Sequence, residues 1–157
     1  MVNNYEEDNN KIWQLLHQAR RMLHRGRQKE LLPLGITSPQ YAVLSILNEV
    51  GRKGIIPSEI ARHLFREPHT ITGILEIMEK HGLIKMAKDL ERKNLIRVTI
   101  TPKGTDTYEK SLKTDFVPYA MSGLSQEDRR LIKIYLKSIR DKSAEWLKMN
   151  QKTGWID

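Results

Sequence analysis

Apolar residues recur with helical spacing along most of the chain and switch to strand-like alternation at one place. Past a frayed segment at 1–8, Ile12, Leu15, Leu16, Ala19, Met22 and Leu23 form one stripe and predict a helix reaching about Arg27. Leu31-Leu32-Pro33-Leu34-Gly35 is a connector, because proline lacks an amide donor and glycine is conformationally permissive. Ser38 followed by Pro39 offers an oxygen acceptor at a cap and a ring preset for the first turn, so a second helix starts there. It carries Tyr41, Leu44, Leu47 and Val50 inward and stops before Gly51.

The middle of the chain reads as two short helices and a hairpin. Ile55-Ile56 suits a short strand, and Pro57 opens a helix for which Ile56 is a poor cap. Ile60, Ala61 and Leu64 stripe that helix, while Ile71, Ile74, Leu75 and Met78 stripe the next, beyond a break at Arg66-Glu67-Pro68. Two helices so tightly joined predict a helix-turn-helix, the second helix ending at His81-Gly82. Residues 83–88 and 95–101 read as strands, with Ile96, Val98 and Ile100 alternating with Arg97 and Thr99 to give one buried and one wet face. The loop Asp89-Leu90-Glu91-Arg92-Lys93-Asn94 joins them into a wing with exposed cations at its tip. Thr101-Pro102 then starts a helix with Tyr108, Leu112 and Phe116 on one side, bounded by Pro118 and Gly123. Ser125 and Asp128 have the spacing of a capping box, ahead of a last helix striped by Leu131, Ile132, Tyr135, Leu136, Ile139, Trp146 and Leu147. The expected fold class is mainly α with a small β-wing: a winged helix-turn-helix flanked by N- and C-terminal dimerisation helices. The amphipathic arms would leave apolar surface exposed in a single copy, which predicts a two-fold homodimer.

Composition narrows the chemistry. With 157 residues and 39% hydrophobic content the chain is sized for one domain and one core. A net charge of +8 attracts a polyanion, for which nucleic acid and an anionic membrane surface both qualify. The absence of a long apolar run and the acidic, polar start Met-Val-Asn-Asn-Tyr-Glu-Glu-Asp predict a soluble, cytoplasmic protein. Zero cysteines exclude disulfides, thiolate zinc sites, thiol nucleophiles and cysteine-based redox sensing.

Within the helix-turn-helix, His69, Thr70, Thr72 and Gly73 cluster at the start of the second helix, the end that a recognition helix points at base edges. Gly73 costs about 1 kcal/mol in a helix interior, which either close approach of DNA or crowding by another helix would explain. The helix starts at Pro39, Pro57 and Pro68 present backbone donors suited to phosphate. Ser38, Ser58, Arg62, Arg66, Lys88, Arg92, Lys93 and Asn94 are therefore the candidates for backbone or minor-groove contact.

These features together resemble the MarR family of bacterial and archaeal transcriptional regulators. The matching stretches are Ile36-Thr37-Ser38-Pro39-Gln40-Tyr41-Ala42-Val43-Leu44, Ser58-Glu59-Ile60-Ala61, Thr70-Ile71-Thr72 with Glu79-Lys80-His81-Gly82-Leu83-Ile84, and Ile100-Thr101-Pro102-Lys103-Gly104. The resemblance implies a single MarR-like domain over 1–157, with dimerisation helices at 1–36 and 103–157 and a DNA-binding unit at 37–102. It also implies recognition helices in successive major grooves of a pseudopalindromic operator, wings in the flanking minor grooves, and a response to a small ligand. An anionic aromatic is the implied effector class, in a cleft that Trp13, Leu16, His17, Tyr41, Tyr108 and Leu112 would line; the alternative is that these residues are core. The family's wing often carries Asp-x-Arg where this chain has Arg92 and Asn94. Either Arg92 or Lys93 takes the groove contact unbraced, or the wing grips phosphate alone.

Other classes fit less well. His17 and His24 lie about 10 Å apart along one helix, too far to share a metal, and the five histidines form no ligand cluster by spacing. No glycine-rich phosphate loop, nucleophile elbow or paired carboxylate points to an enzyme, and no cofactor or metal is expected. The alternative function is a winged-helix protein–protein interaction module without sequence-specific DNA binding, which would want an apolar or acidic recognition face.

Overall fold

A computed structural model of the chain describes residues 4–89 and 94–150. The elements are α1 (Asn4–Leu31), α2 (Ser38–Val50), α3 (Pro57–Leu64), α4 (Pro68–Lys80), β1 (Ile84–Lys88), β2 (Ile96–Ile100), α5 (Pro102–Leu112), α6 (Phe116–Ala120) and α7 (Gln126–Asn150). The strands pair antiparallel, with Ile84 opposite Ile100 and Lys88 opposite Ile96. The chain forms two compact units, residues 1–117 and 118–157.

In the first unit the helical stripes converge as expected. Val43, Leu44, Leu47, Ile60, Ala61, Ile71, Leu75 and Met78 are buried with Leu31, Ile36, Leu83, Ile84 and Val98 around them. The expected short strand reduces to a single bridge, in which Ile55 exchanges both backbone hydrogen bonds with Val98 at 3.1 and 2.9 Å. Gly54 must precede it: its φ is +63°, and a Cβ there would stand 2.7 Å from the Val98 carbonyl.

The residues after the wing bind three elements together. Thr101 caps α5 by accepting from the Gly104 amide at 3.0 Å and donates to the Gly82 and Leu83 carbonyls. The Lys103 ammonium donates to the His81 carbonyl at 2.7 Å, closing the end of α4 where the helix dipole is negative. Gly104 allows the start of α5 to lie against Leu83 and Ile100 at the base of the wing, since a Cβ would sit 2.0 Å from the Leu83 carbonyl oxygen. Glu79 of α4 completes the junction by accepting from the Met86 amide at 2.6 Å.

Four local expectations are corrected. The cap of α2 is Thr37, not Ser38: Thr37 and Gln40 form a reciprocal capping box, and the Ser38 amide donates to Gln28 at 2.9 Å. α1 runs four residues past Arg27 because its last turn is packed, with Leu31 fully buried. The helix after Thr101 breaks at Lys113, and Phe116 starts a separate short helix. Ile96 is 48% exposed while Arg97 is half-buried, so the wing's alternation fails at its outer end. Arg97 leaves the wet face because it pairs with Asp89.

In the second unit, the Ser125 hydroxyl accepts from the Asp128 amide at 3.1 Å and the Asp128 carboxylate accepts from the Ser125 amide at 2.9 Å, the expected capping box. The stripe of α7 lies in the open, with Ile134, Tyr135, Leu136, Ile139, Trp146 and Leu147 exposed.

Candidate nucleic-acid interface

α4 buries Ile71, Leu75 and Met78 along one stripe. At about 100° per residue, Gly73 falls almost diametrically opposite that stripe, and His69, Glu76, Ile77 and Lys80 share its outward face. His69 and Thr72 are exposed, and Thr70 and Gly73 are partly so. The Thr72 hydroxyl donates to the Pro68 carbonyl at 3.1 Å, which leaves its methyl and oxygen lone pairs facing out. Beyond its own helix backbone and chain neighbours, no described atom comes within 4 Å of a Cβ placed on Gly73, so crowding by another helix does not account for this glycine. Glu76, Ile77 and Lys80 were missed from the sequence, although a helical wheel centred on Gly73 finds them.

The three proline helix starts are not equivalent. At α2 the first-turn donors are occupied: Thr37 donates to Gln40 at 2.8 Å and Ser38 to Gln28. No side chain caps α3 at Ile56 or α4 at Glu67. At α3 the Glu59 amide bonds back to the Ile56 carbonyl at 3.0 Å, so with no side-chain cap only the earlier amides of each start are left without a partner, and both starts retain the partial positive charge that attracts phosphate. Between the helices, Phe65 takes a left-handed conformation at φ +50°, a turn that the sequence did not advertise because the residue is not glycine.

Cations flank this surface. Arg62 and Arg66 are exposed on α3 and its turn, with Arg62 3.8 Å from Glu59. Ser58, Lys88 and Asn94 are exposed as well. Arg92 and Lys93 lie outside the described residues. At the wing root the Arg97 guanidinium holds the buried Asp89 carboxylate, Nε donating at 2.6 Å, and Nη1 donates to the Lys53 and Gly54 carbonyls at 3.2 and 3.3 Å. A cleft of about 410 Å³ runs between this root and α3, lined by Lys53, Ile55, Glu59, His63, Asp89 and Arg97 among others.

The residues expected to line an effector cleft fall into two groups. Tyr41 and Tyr108 stack at 5.9 Å between ring centroids, with the Arg27 guanidinium 4.4 Å from the Tyr41 ring. Trp13 and His17 face each other at 6.2 Å on α1, where Trp13 is 68% exposed. His17 and Arg27 are ten residues apart, about 15 Å along the helix axis. Leu16 is half-buried and Leu112 exposed. The Arg27 guanidinium also donates to Thr114 and to the Ser111 carbonyl, and the Glu30 carboxylate accepts from the Phe116 amide at 2.6 Å. Burial pushes the Glu30 pKa up, but that amide, the Thr114 hydroxyl and Arg27 outweigh it and hold the carboxyl below the usual glutamate value. Among the described residues no group of three His, Asp or Glu side chains is placed to hold a metal, and no helix is long and apolar enough to cross a membrane.

A tight helix pair with an outward polar face, followed by an antiparallel hairpin tied to its base, defines a winged helix-turn-helix protein. Residues 36–89 match the model of the MarR family, and the chain belongs to that family of transcriptional regulators. It is 31% identical over 109 residues to the HTH-type transcriptional regulator TtmR of Methylorubrum extorquens, an overlap of 68% of this chain and 53% of TtmR. The chain thus spans about half the length of that relative. The organohalide-sensing RdhR transcriptional regulator, solved in its 2,4-dichlorophenol bound form, is similar with a TM-score of 0.76 at 26% identity, over 90% of this chain and 86% of that one. A mutant MarR from E. coli complexed with operator DNA gives a TM-score of 0.76 at 20% identity, over 88% and 99% of the two chains, a likeness of fold.

Proposed function

We propose that the protein is a sequence-specific double-stranded-DNA-binding transcriptional regulator, cytoplasmic, working as a homodimer on a pseudopalindromic operator and responding to a small ligand. Binding, with no catalysis, is its activity. The observation that carries this reading is α4: an uncapped start followed by an outward face of His69, Gly73, Glu76, Ile77 and Lys80 with Thr70 and Thr72 beside it, on a chain of net charge +8. His69, Thr70 and Thr72 read base edges, and Gly73 lets the helix backbone approach them. Ser58, Arg62, Arg66, Lys88 and the wing residues Arg92, Lys93 and Asn94 hold phosphate or the minor groove. Ser38 is a weaker candidate, because its amide already bonds Gln28. The test is a band shift on the DNA upstream of the protein's own coding sequence at two salt concentrations. A shifted band that weakens steeply with salt supports the proposal; no protection at low salt overturns it in favour of a protein-contact module.

The second copy follows from unpartnered apolar faces. α1 exposes Ile12, Trp13, Leu15 and Met22, and α7 exposes Ile134, Tyr135, Leu136 and Ile139. Leu15→Glu with Ile139→Glu should convert a sedimenting dimer to monomer and abolish half-site cooperation; a variant that remains dimeric refutes the arm assignment. A small anionic aromatic is the proposed effector. The stacked Tyr41 and Tyr108 beside Arg27, and the separate Trp13, Leu16 and His17 group, become one site only if the partner's arm closes the gap between them. A ligand there shifts DNA affinity only as far as it prefers one dimer spacing over another.

A further inference from the structure

We infer that Asp89 and Arg97 are the wing's positioning residues, a brace at its root standing in for the tip brace that the sequence lacks at Arg92 and Asn94. The inference rests on the DNA-binding reading proposed above. Asp89 is the last described residue before the tip, and its side chain is only 5% exposed. A carboxylate so placed needs a charged partner, and Arg97 supplies one through both Nε and Nη2 on the same oxygen, Oδ2. The third nitrogen of the fork, Nη1, reaches off the hairpin to the Lys53 and Gly54 carbonyls. One guanidinium therefore joins the end of β1, the start of β2 and the turn ahead of α3. That turn cannot drift, because Gly54 is closed in by Val98 and Thr99 and Ile55 is bridged to Val98. The Asp89 amide also donates to the Leu95 carbonyl at 2.8 Å, closing the hairpin across the tip. A lysine at 97 would keep the charge but lose the fork that spans three segments. The wing root is thus tied to the turn ahead of α3 through an ion pair whose carboxylate is buried, and both of its residues line the cleft between the root and α3.

A positioning role differs from a structural one in what it couples to. If the brace serves the wing's grip, its loss should matter only while the tip has residues to grip with. The test is a thermodynamic cycle on the full-length protein, measuring operator affinity for Asp89→Asn, for the Arg92→Ala, Lys93→Ala pair, and for all three together. Asp89→Asn should weaken binding about tenfold, the scale of one good protein–DNA contact. In the background lacking both tip cations its effect should shrink to less than about twofold, because the two sites act as one unit. Equal losses in both backgrounds, or native affinity for Asp89→Asn, overturn the inference. Failure of the native protein to bind any duplex overturns the DNA-binding reading instead. Should Asp89→Asn not fold, as judged by its thermal transition, Arg97→Lys enters the same cycle, with the same coupling expected and additivity again refuting it.

Discussion

Gly73→Ala separates what the fold needs from what the interface needs. The residue is interior to α4, its conformation is helical, and nothing described lies within 4 Å of an added Cβ. The folded state therefore gains a methyl without a clash, and the unfolded chain loses glycine's extra freedom. The expected gain is about 0.8–1 kcal/mol. For a chain of this size that corresponds to a rise in Tm of roughly 2–4 °C, read by thermal melts at matched protein concentration, since dimerisation makes Tm concentration-dependent. Operator affinity should move the other way. Gly73 sits at the centre of the outward face, one turn from His69, so a methyl there intrudes where the backbone would come closest to bases. A loss of roughly tenfold or more is expected, the scale of one base contact. A fall in Tm would refute the reading of open space around Gly73. A rise in Tm with unchanged affinity would refute its place in the interface.

Gly104→Ala should behave in the opposite manner, because its Cβ would meet the Leu83 carbonyl oxygen at 2.0 Å and force the start of α5 from the base of the wing; a loss above about 2 kcal/mol in denaturant unfolding is expected. Glu30, with its folded pKa below the ordinary value, contributes stability that is present above the unfolded pKa and lost as pH falls through the folded one. Native stability should therefore fall more steeply below about pH 4 than that of Glu30→Gln, and parallel curves for the two would refute the link between α1 and Phe116. Glu67→Ser should add the missing cap to α4, raising stability by about 0.5–1 kcal/mol while weakening DNA binding by occupying an amide that phosphate would use; binding as tight as native would argue that this helix start faces solvent in the complex.

Much of the fold is legible from the sequence because its punctuation is local. Pro57, Pro68 and Pro102 start helices where expected, Gly82 takes its left-handed role after α4, and the stripes Ile60–Ala61 and Ile71–Leu75–Met78 are buried. The outward face of α4 is legible only in part: helix phase places His69 and Gly73 on it, but Glu76, Ile77 and Lys80 share it and are absent from the sequence reading. What was not legible depends on partners far along the chain. Arg27 reaches Thr114 across 87 positions, and Phe116 lies against Gly26, so the break after Leu112 has no local sign. Asp89 and Arg97 were read as a loop acid and a wet-face cation because nothing in their neighbours announces that the two meet. Ser38 has the residue type of a cap, but its amide goes to Gln28, ten residues away, and Thr37 takes the capping position.

The places where local rules are broken are themselves informative. α2 starts with a reciprocal capping box, α5 with Thr101 on the Gly104 amide, and α7 with Ser125 and Asp128. The two described helices of comparable length that start with no side-chain cap are α3 and α4. α4 also holds Gly73, which unlike the helical glycines Gly26 and Gly104 has no neighbour packed against it, and the turn between α3 and α4 holds the left-handed Phe65. The left-handed Phe65 is the C-cap of α3, its amide and that of Arg66 donating to the Arg62 and Ala61 carbonyls at 3.3 and 3.0 Å, whereas the uncapped starts and Gly73, each costing on the order of 1 kcal/mol, have no such partner among the described side chains. Since α2, α5 and α7 each start with a side-chain cap, starts left without one suit completion by something outside the chain. Phosphate oxygens suit the open amides, and a base edge suits the bare backbone at Gly73. An apolar protein partner would suit neither. The uncapped starts of α3 and α4 and the open backbone at Gly73 therefore argue for nucleic acid beside the family match.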